Sequence, residues 1–226
     1  MLLEYKTTEY DQKKSIKTIL QREFKISNRF LTKLKLNKKI LIDNQVAMVN
    51  NIPPCNSVIQ VLIDFEESDE IIPQSGDIEI LYEDEYFLAV NKPANIVVHP
   101  CSYHPDNTLA NFVKAYLNNH KKIRPINRLD KGTSGVVLFA KNEYIQELFK
   151  NISPKPQKEY IVITYGKWDK KEGTISLPIA RKPDSLIERE VNFESGQESI
   201  TNYKVIAEAV YKEAEISLLK VLLETR

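Results

Sequence analysis

Residues 124–141 read RPINRLDKGTSGVVLFAK, and this stretch decides how the chain around it is arranged. Arg128 and Asp130 are two positions apart, so in extended backbone both side chains leave on one side. Gly132 to Gly135 predict a tight turn beside them. The apolar run VVLFAK that follows predicts a strand. A guanidinium held next to a carboxylate favours its ionised form, the state an anionic nucleophile needs. The same residues also fit an ordinary aspartate capping a glycine turn. Spacing alone leaves both readings open.

Upstream, IEILYEDEYFLAVNKP (78–93) consists of two β-rich runs around an acidic turn at Glu83 to Glu85. TLANFVKAYL (108–117) predicts a helix with Leu109, Phe112, Val113, Tyr116 and Leu117 on one face. Downstream come a short helix in NEYIQELFK (142–150) and strands in KEYIVITYG, TISLPIA, TNYKVIAE and EISLLKVLLET. Most neighbouring strands lack a helix between them, so the expected class is α+β, with a mixed and mostly antiparallel sheet. Before this unit, apolar residues from Ser15 to Leu36 recur at spacings of three and four, with Ser27 and Asn28 as caps separating two short helices. A hairpin about Asp43-Asn44 and a strand in SVIQVLIDFE follow. The acidic, proline- and glycine-containing stretch 66–76 reads as a linker. It separates a small helical and hairpin module, 1–65, from a larger domain, 77–226.

Of 226 residues, 42% are hydrophobic and 28% charged, which excludes a fibre or a disordered tail. No apolar run approaches the roughly 20 residues needed to span a bilayer, and the first residues lack the pattern of a secretory signal. Two unrelated cysteines, Cys55 and Cys101, argue against a disulfide framework, so a cytoplasmic location is expected. The net charge of +1 conceals segregation. Residues 1–50 carry 11 Lys and Arg against 5 Asp and Glu, residues 51–90 none against 10, residues 91–182 16 against 7, and residues 183–226 5 against 9. Two basic blocks are compatible with a polyanionic partner, and equally with solvated surface.

Several catalytic templates fail. GTSG continues into Val136, so it is not a nucleophile elbow, and no phosphate-loop motif occurs. His99, Cys101 and His104 form H-x-C-x-x-H, but Pro100 and Pro105 stiffen the loop and no fourth ligand type lies nearby. They read as loop residues, and no metal is expected.

Together, DEYFLAVNKPANIVVHP, RPINRLDKGTSGVVLFAK and KEYIVITYG resemble the RluA-type pseudouridine synthases, whose signature is H-R-L-D-x-x-T-S-G-x-x-L-x-A-K. The resemblance covers residues 77–226. Residues 15–62 resemble the α-L RNA-binding module of ribosomal-protein type that precedes the catalytic domain in many members. The resemblance implies cofactor-free isomerisation of a uridine in structured ribosomal or transfer RNA. Asp130 would be the catalytic carboxylate, Arg128 would fill the stack vacated by the flipped uridine, and Tyr160 would pack on the flipped base. Lys92, Lys131, Lys141, Lys155 and Lys158 would contact phosphates, as would Arg22, Lys25, Arg29, Lys33 and Lys35 in the module. RNA is the expected partner, with no DNA and no membrane.

Two departures stand out. Asn127 occupies the signature's histidine position, which affects the hydrogen bonding of the loop. Family members also continue past EISLLKVLLET into an R-T-H-Q-I-R-type segment, whose later arginine pairs with the catalytic aspartate. The chain stops at Arg226, so an incomplete catalytic domain is expected. The alternatives are a non-catalytic RNA-binding protein, or an inactive fragment in which strand 214–223 exposes an unpaired edge.

Overall fold

The computed structural model describes residues 1–65, 69–118, 122–152, 154, 156–185 and 187–225. It divides into two compact units, Met1–Ile152 and Ser153–Arg226.

The first unit opens with β1 (Leu2–Lys6), a strand not foreseen from the sequence, followed by α1 (Ile16–Glu23) and α2 (Asn28–Leu36). Both helices begin at a serine cap. Ser15 Oγ accepts from Thr18 N, and Ser27 Oγ accepts from Phe30 N at 3.1 Å. Their apolar stripes, Ile16, Ile19 and Leu20 on one and Phe30, Leu31 and Leu34 on the other, are buried. They face a four-stranded sheet of order β1-β4-β2-β3, with β2 at Ile40–Ile42, β3 at Gln45–Val46 and β4 at Val58–Leu62. Asp43 and Asn44 have φ of 46° and 67°, the left-handed pair that a two-residue hairpin turn requires.

A buried carboxylate ties the first strand to the first helix. Asp11 accepts from Arg22 Nη2 at 2.7 Å, from Tyr5 Oη at 3.0 Å and from Thr8 N at 2.9 Å. Burial pushes its pKa up, but the Thr8 backbone and side-chain donors, Arg22 and Tyr5 outweigh this and lower it from 3.8 to about 2. A carboxyl depressed on folding contributes stability at pH above its unfolded value, and that contribution is lost as pH falls through the folded value. The shift corresponds to roughly 2 kcal/mol. Asp11→Asn is therefore expected to lower the urea midpoint at neutral pH, with the gap to wild type closing between about pH 5 and pH 2. A gap that does not vary with pH would show that the carboxylate charge is not its source.

The second sheet of this unit has order β5-β6-β8-β7, with β5 at Glu79–Glu83, β6 at Phe87–Lys92, β7 at Arg124–Pro125 and β8 at Gly135–Ala140. Helix α3 (Leu109–Leu117) buries Leu109, Ala110 and Val113 against Leu88, Val90, Val137 and Phe139. Tyr116, expected on that apolar face, is exposed and donates to Glu83. Asn111 and Lys114 are buried instead, because they hold the stretch read as a linker. Asn111 Nδ2 donates to Ile72 O at 2.8 Å, and Lys114 pairs with Asp69, which also accepts from Ile123 N. With Ile71 buried in the same core, residues 69–74 pack onto α3.

Helix α4 (Glu143–Asn151) starts at the Asn142 cap. Tyr144 and Ile145 join Ala140 in the core of α1 and α2. Tyr144 stacks on Phe30 with ring centres 6.0 Å apart, and its hydroxyl donates to Phe24 O at 2.9 Å. Lys33 pairs with Glu143, and Ser27 Oγ donates to Glu147. Apolar packing and polar ties thus join the N-terminal helices to α4.

The second unit is a sheet of order β10-β13-β14-β9, with β9 at Glu159–Tyr165, β10 at Glu172–Ser176, β13 at Ile200–Tyr211 and β14 at Ala214–Leu223. A two-stranded ribbon joins β11 (Ile179–Arg181) to β12 (Arg189–Val191). The run TISLPIA, read as one strand, divides between β10 and β11. β14 pairs with β13 on one side and β9 on the other, so strand 214–223 is internal and the unpaired edge expected there does not occur. Every strand ladder among the described residues is antiparallel. The chain is thus mixed α and β with mostly antiparallel sheets and four α-helices among the described residues. None of its described helices is long and apolar enough to cross a membrane.

Candidate active site

The segment 126–135 leaves β7, crosses the end of the sheet and returns as β8. Its first anchor is Ile126 N, which donates to Leu138 O at 2.7 Å. Asn127 then pairs with β8 through its side chain: Nδ2 donates to Val136 O at 3.0 Å, and Oδ1 accepts from Leu138 N at 2.8 Å. The amide presents an N–H and a carbonyl oxygen side by side, much as a peptide group does, and so extends the ladder. Leu129 packs against the second core, leaving Arg128 and Asp130 exposed on either side of it.

The tight turn lies slightly earlier than expected. Thr133 N donates to Asp130 O at 3.1 Å, which centres the turn on Lys131 and Gly132. Gly135, the first residue of β8, has a φ of 127°. A side chain is strained in that conformation.

Lys92 holds this turn from beneath. Expected among the phosphate contacts, it is completely buried at the end of β6. Its ammonium donates to Pro93 O at 2.9 Å, to Ile96 O at 2.8 Å and to Lys131 O at 3.3 Å. An ammonium enclosed in this way cannot reach an RNA phosphate. Burial lowers its pKa, and the negative charge of Asp130 acts in the opposite direction. Lys131 O also accepts from Asn95 N at 2.7 Å, with Asn95 left-handed at φ 71°. The N-K-P-A-N loop thereby clamps the peptide that follows Asp130.

Arg128 does not hold the Asp130 carboxylate. Among the described residues the two form neither a hydrogen bond nor an ion pair. Tyr160 belongs to the second unit, half-buried on β9 and opposite Val221 of β14.

The other expected RNA contacts fall into groups. Lys25, in a left-handed conformation with φ 53°, is exposed, as are Arg29, Lys35 and Lys131. Arg22 is committed to Asp11 and Glu23, and Lys33 to Glu143. Lys141 pairs with Glu83 at 2.7 Å and bonds to Asp84 O. Lys158 is half-buried, and Lys155 lies outside the described residues. Cys101 and His104 pair through their backbones, and no group of three potential metal ligands occurs among the described residues.

Asn127 thus positions the loop that carries Asp130 through its two bonds to β8. Asn127→Ala is expected to lower kcat of a reaction carried by Asp130 roughly 10- to 100-fold with little change in KM, because a small displacement of a reacting group is costly. A raised KM at unchanged kcat would place this side chain on the substrate instead.

Residues 86–226 match the family described as RNA pseudouridylate synthase. An uncharacterized RNA pseudouridine synthase of Bacillus subtilis, YhcT, is 34% identical over 209 residues, covering 86% of this chain and 68% of that protein. The ribosomal large subunit pseudouridine synthase D of Borreliella burgdorferi is 31% identical, covering 81% of this chain and 56% of that one. The solved structure of human RNA pseudouridylate synthase domain containing 1 aligns with a TM-score of 0.56 at 22% identity, over 66% of this chain and 60% of that chain, a likeness of fold. The chain thus spans between about half and two thirds of the length of these proteins. With the R-L-D-x-x-T-S-G loop on the sheet end and the family match running through it, the chain belongs to the RNA pseudouridylate synthases of RluA type.

Proposed function

We propose that this chain isomerises uridine to pseudouridine in structured RNA, ribosomal or transfer, with Asp130 as the catalytic carboxylate. The observation that carries this reading is the presentation of Asp130: an exposed carboxylate on a turn fixed by Lys92, Asn95 and Asn127. A nucleophile must be both positioned and reachable by a flipped nucleotide. In the reaction the bond from ribose carbon 1′ to N1 breaks and carbon 1′ bonds to carbon 5. The hydrogen of carbon 5 then leaves as a proton, while N1 gains one. No electrons are exchanged with a second substrate. Side chains can supply the nucleophile and the proton transfers, and no cofactor is part of this reading.

Arg128, exposed two residues before Asp130, fits the role of filling the vacated stack, and by the family resemblance alone Tyr160 would be the ring against the flipped base. Residues 1–65 would serve as an α-L-like RNA-binding module ahead of a catalytic domain over 77–226, in a cytoplasmic protein. The test is release of tritium from an RNA transcript labelled at carbon 5 of uridine, because only rejoining through that carbon expels its hydrogen. Salt-sensitive RNA binding without tritium release would favour a non-catalytic RNA-binding protein.

A further inference from the structure

The docking of α2 beside α4 creates a feature that the catalytic loop does not use. A groove of about 560 Å³ lies between these helices and β7. Arg29 and Lys33, one helical turn apart, line it from α2; Lys150 lines it from α4, and Lys122 and Arg124 from the strand side. The two carboxylates in its wall are already engaged, Glu143 by Lys33 and Glu147 by Ser27 Oγ. Arg29 and Lys122 are exposed and have no ion pair among the described residues. Lys33 is held by Glu143 and Arg124 is buried, whereas Arg29 and Lys122 lie on separate elements, so these two suit successive phosphates of a backbone better than a single anion.

We propose that this groove is a second RNA-docking surface, which holds the phosphate backbone of a helical stem flanking the target uridine. It rests on the RNA-directed function proposed above and adds where the substrate is gripped. The apolar core shared by α2 and α4 and the hydroxyl bond from Tyr144 to Phe24 O fix the two helical walls relative to each other. The groove is therefore preformed, and the stem is held in one register with respect to α4 and the sheet that carries the Asp130 loop.

The test uses the full chain and a labelled RNA hairpin of about 20 base pairs with a uridine-containing loop, titrated at several salt concentrations. Arg29→Ala/Lys122→Ala is expected to raise Kd about tenfold and to reduce the slope of log Kd against log salt by about 1 to 2, as the loss of two phosphate contacts requires. Arg29→Glu/Lys122→Glu is expected to weaken binding further, with Tm unchanged because both side chains are exposed. Kd and slope within about twofold of wild type in the charge-reversed protein would overturn the groove assignment, even if the protein releases tritium from labelled RNA. Binding weakened as expected in a wild-type background that releases no tritium would support the groove and overturn the catalytic reading.

Discussion

Asp130→Asn is expected to abolish tritium release from uridine-labelled RNA, with a fall of at least about 10³-fold, while leaving the protein folded and its RNA affinity within about twofold of wild type. The size of the fall follows from the step that is lost. An amide of the same shape has no anionic oxygen to attack the sugar or the base, and no neighbouring residue offers a second carboxylate in the R-L-D loop. The harmlessness to the fold follows from exposure. The Asp130 side chain accepts no hydrogen bond and forms no ion pair among the described residues, and substitutions at such sites usually shift stability by less than about 0.5 kcal/mol. The Asp130 carbonyl, which does close the turn through Thr133 N, is untouched by the change. Thermal melting and hairpin binding on the same preparation separate loss of chemistry from loss of structure. Tritium release by Asp130→Asn within about tenfold of wild type would remove Asp130 from the chemistry and leave the loop a scaffold.

Most of the local structure was legible because local rules and tertiary packing agree. Ser15, Ser27, Asn142 and the Asp43-Asn44 pair do in the fold what their side chains or backbone preferences favour in isolation. Departures arose where tertiary contacts outweighed local pattern. The stretch after residue 66 is acidic, with a proline and a glycine, and so reads as a linker, yet Asp69 and Ile71 are recruited by Lys114 and by the core of α3. Pairings between distant residues of this kind leave no trace in a window of neighbours.

At the candidate site, the motif identified Asp130 and its neighbours but not the groups that hold them. The signature histidine position marked Asn127 as a hydrogen-bonding site, while its two bonds to β8 depend on register. Lys92 did carry a readable signal. Leu88, Val90 and Lys92 alternate on β6, so the face that buries the first two also buries the third. Counting Lys92 only as part of a basic block concealed that periodicity. In the same way, charge counting placed Arg22, Lys33 and Lys141 with the RNA contacts, although each is tied to a carboxylate within the protein.

The distinction between a phosphate-binding lysine and a buried one gives Lys92→Met a decisive outcome. Methionine is close in length and keeps the apolar part of the side chain, but it removes the donor shared by the carbonyls of Pro93 and Ile96 and leaves Lys131 O with Asn95 N alone. Losing this fully buried ammonium and its three charge-assisted bonds is expected to destabilise the protein by about 3 kcal/mol, equivalent to a fall in Tm of roughly 6–12 °C for a chain of this size. Activity should fall further than stability explains. At a temperature where the variant is fully folded, kcat is expected to drop about 100-fold, because the peptide after Asp130 loses the contact beneath it and the carboxylate is no longer held in one place. The salt dependence of RNA binding should stay that of wild type, since no phosphate contact has been removed. A lysine that met RNA directly would give the reverse pattern: unchanged Tm, a raised Kd and a shallower salt slope. Observing that pattern would show Lys92 to be a surface contact and would remove it as the support beneath the Asp130 turn.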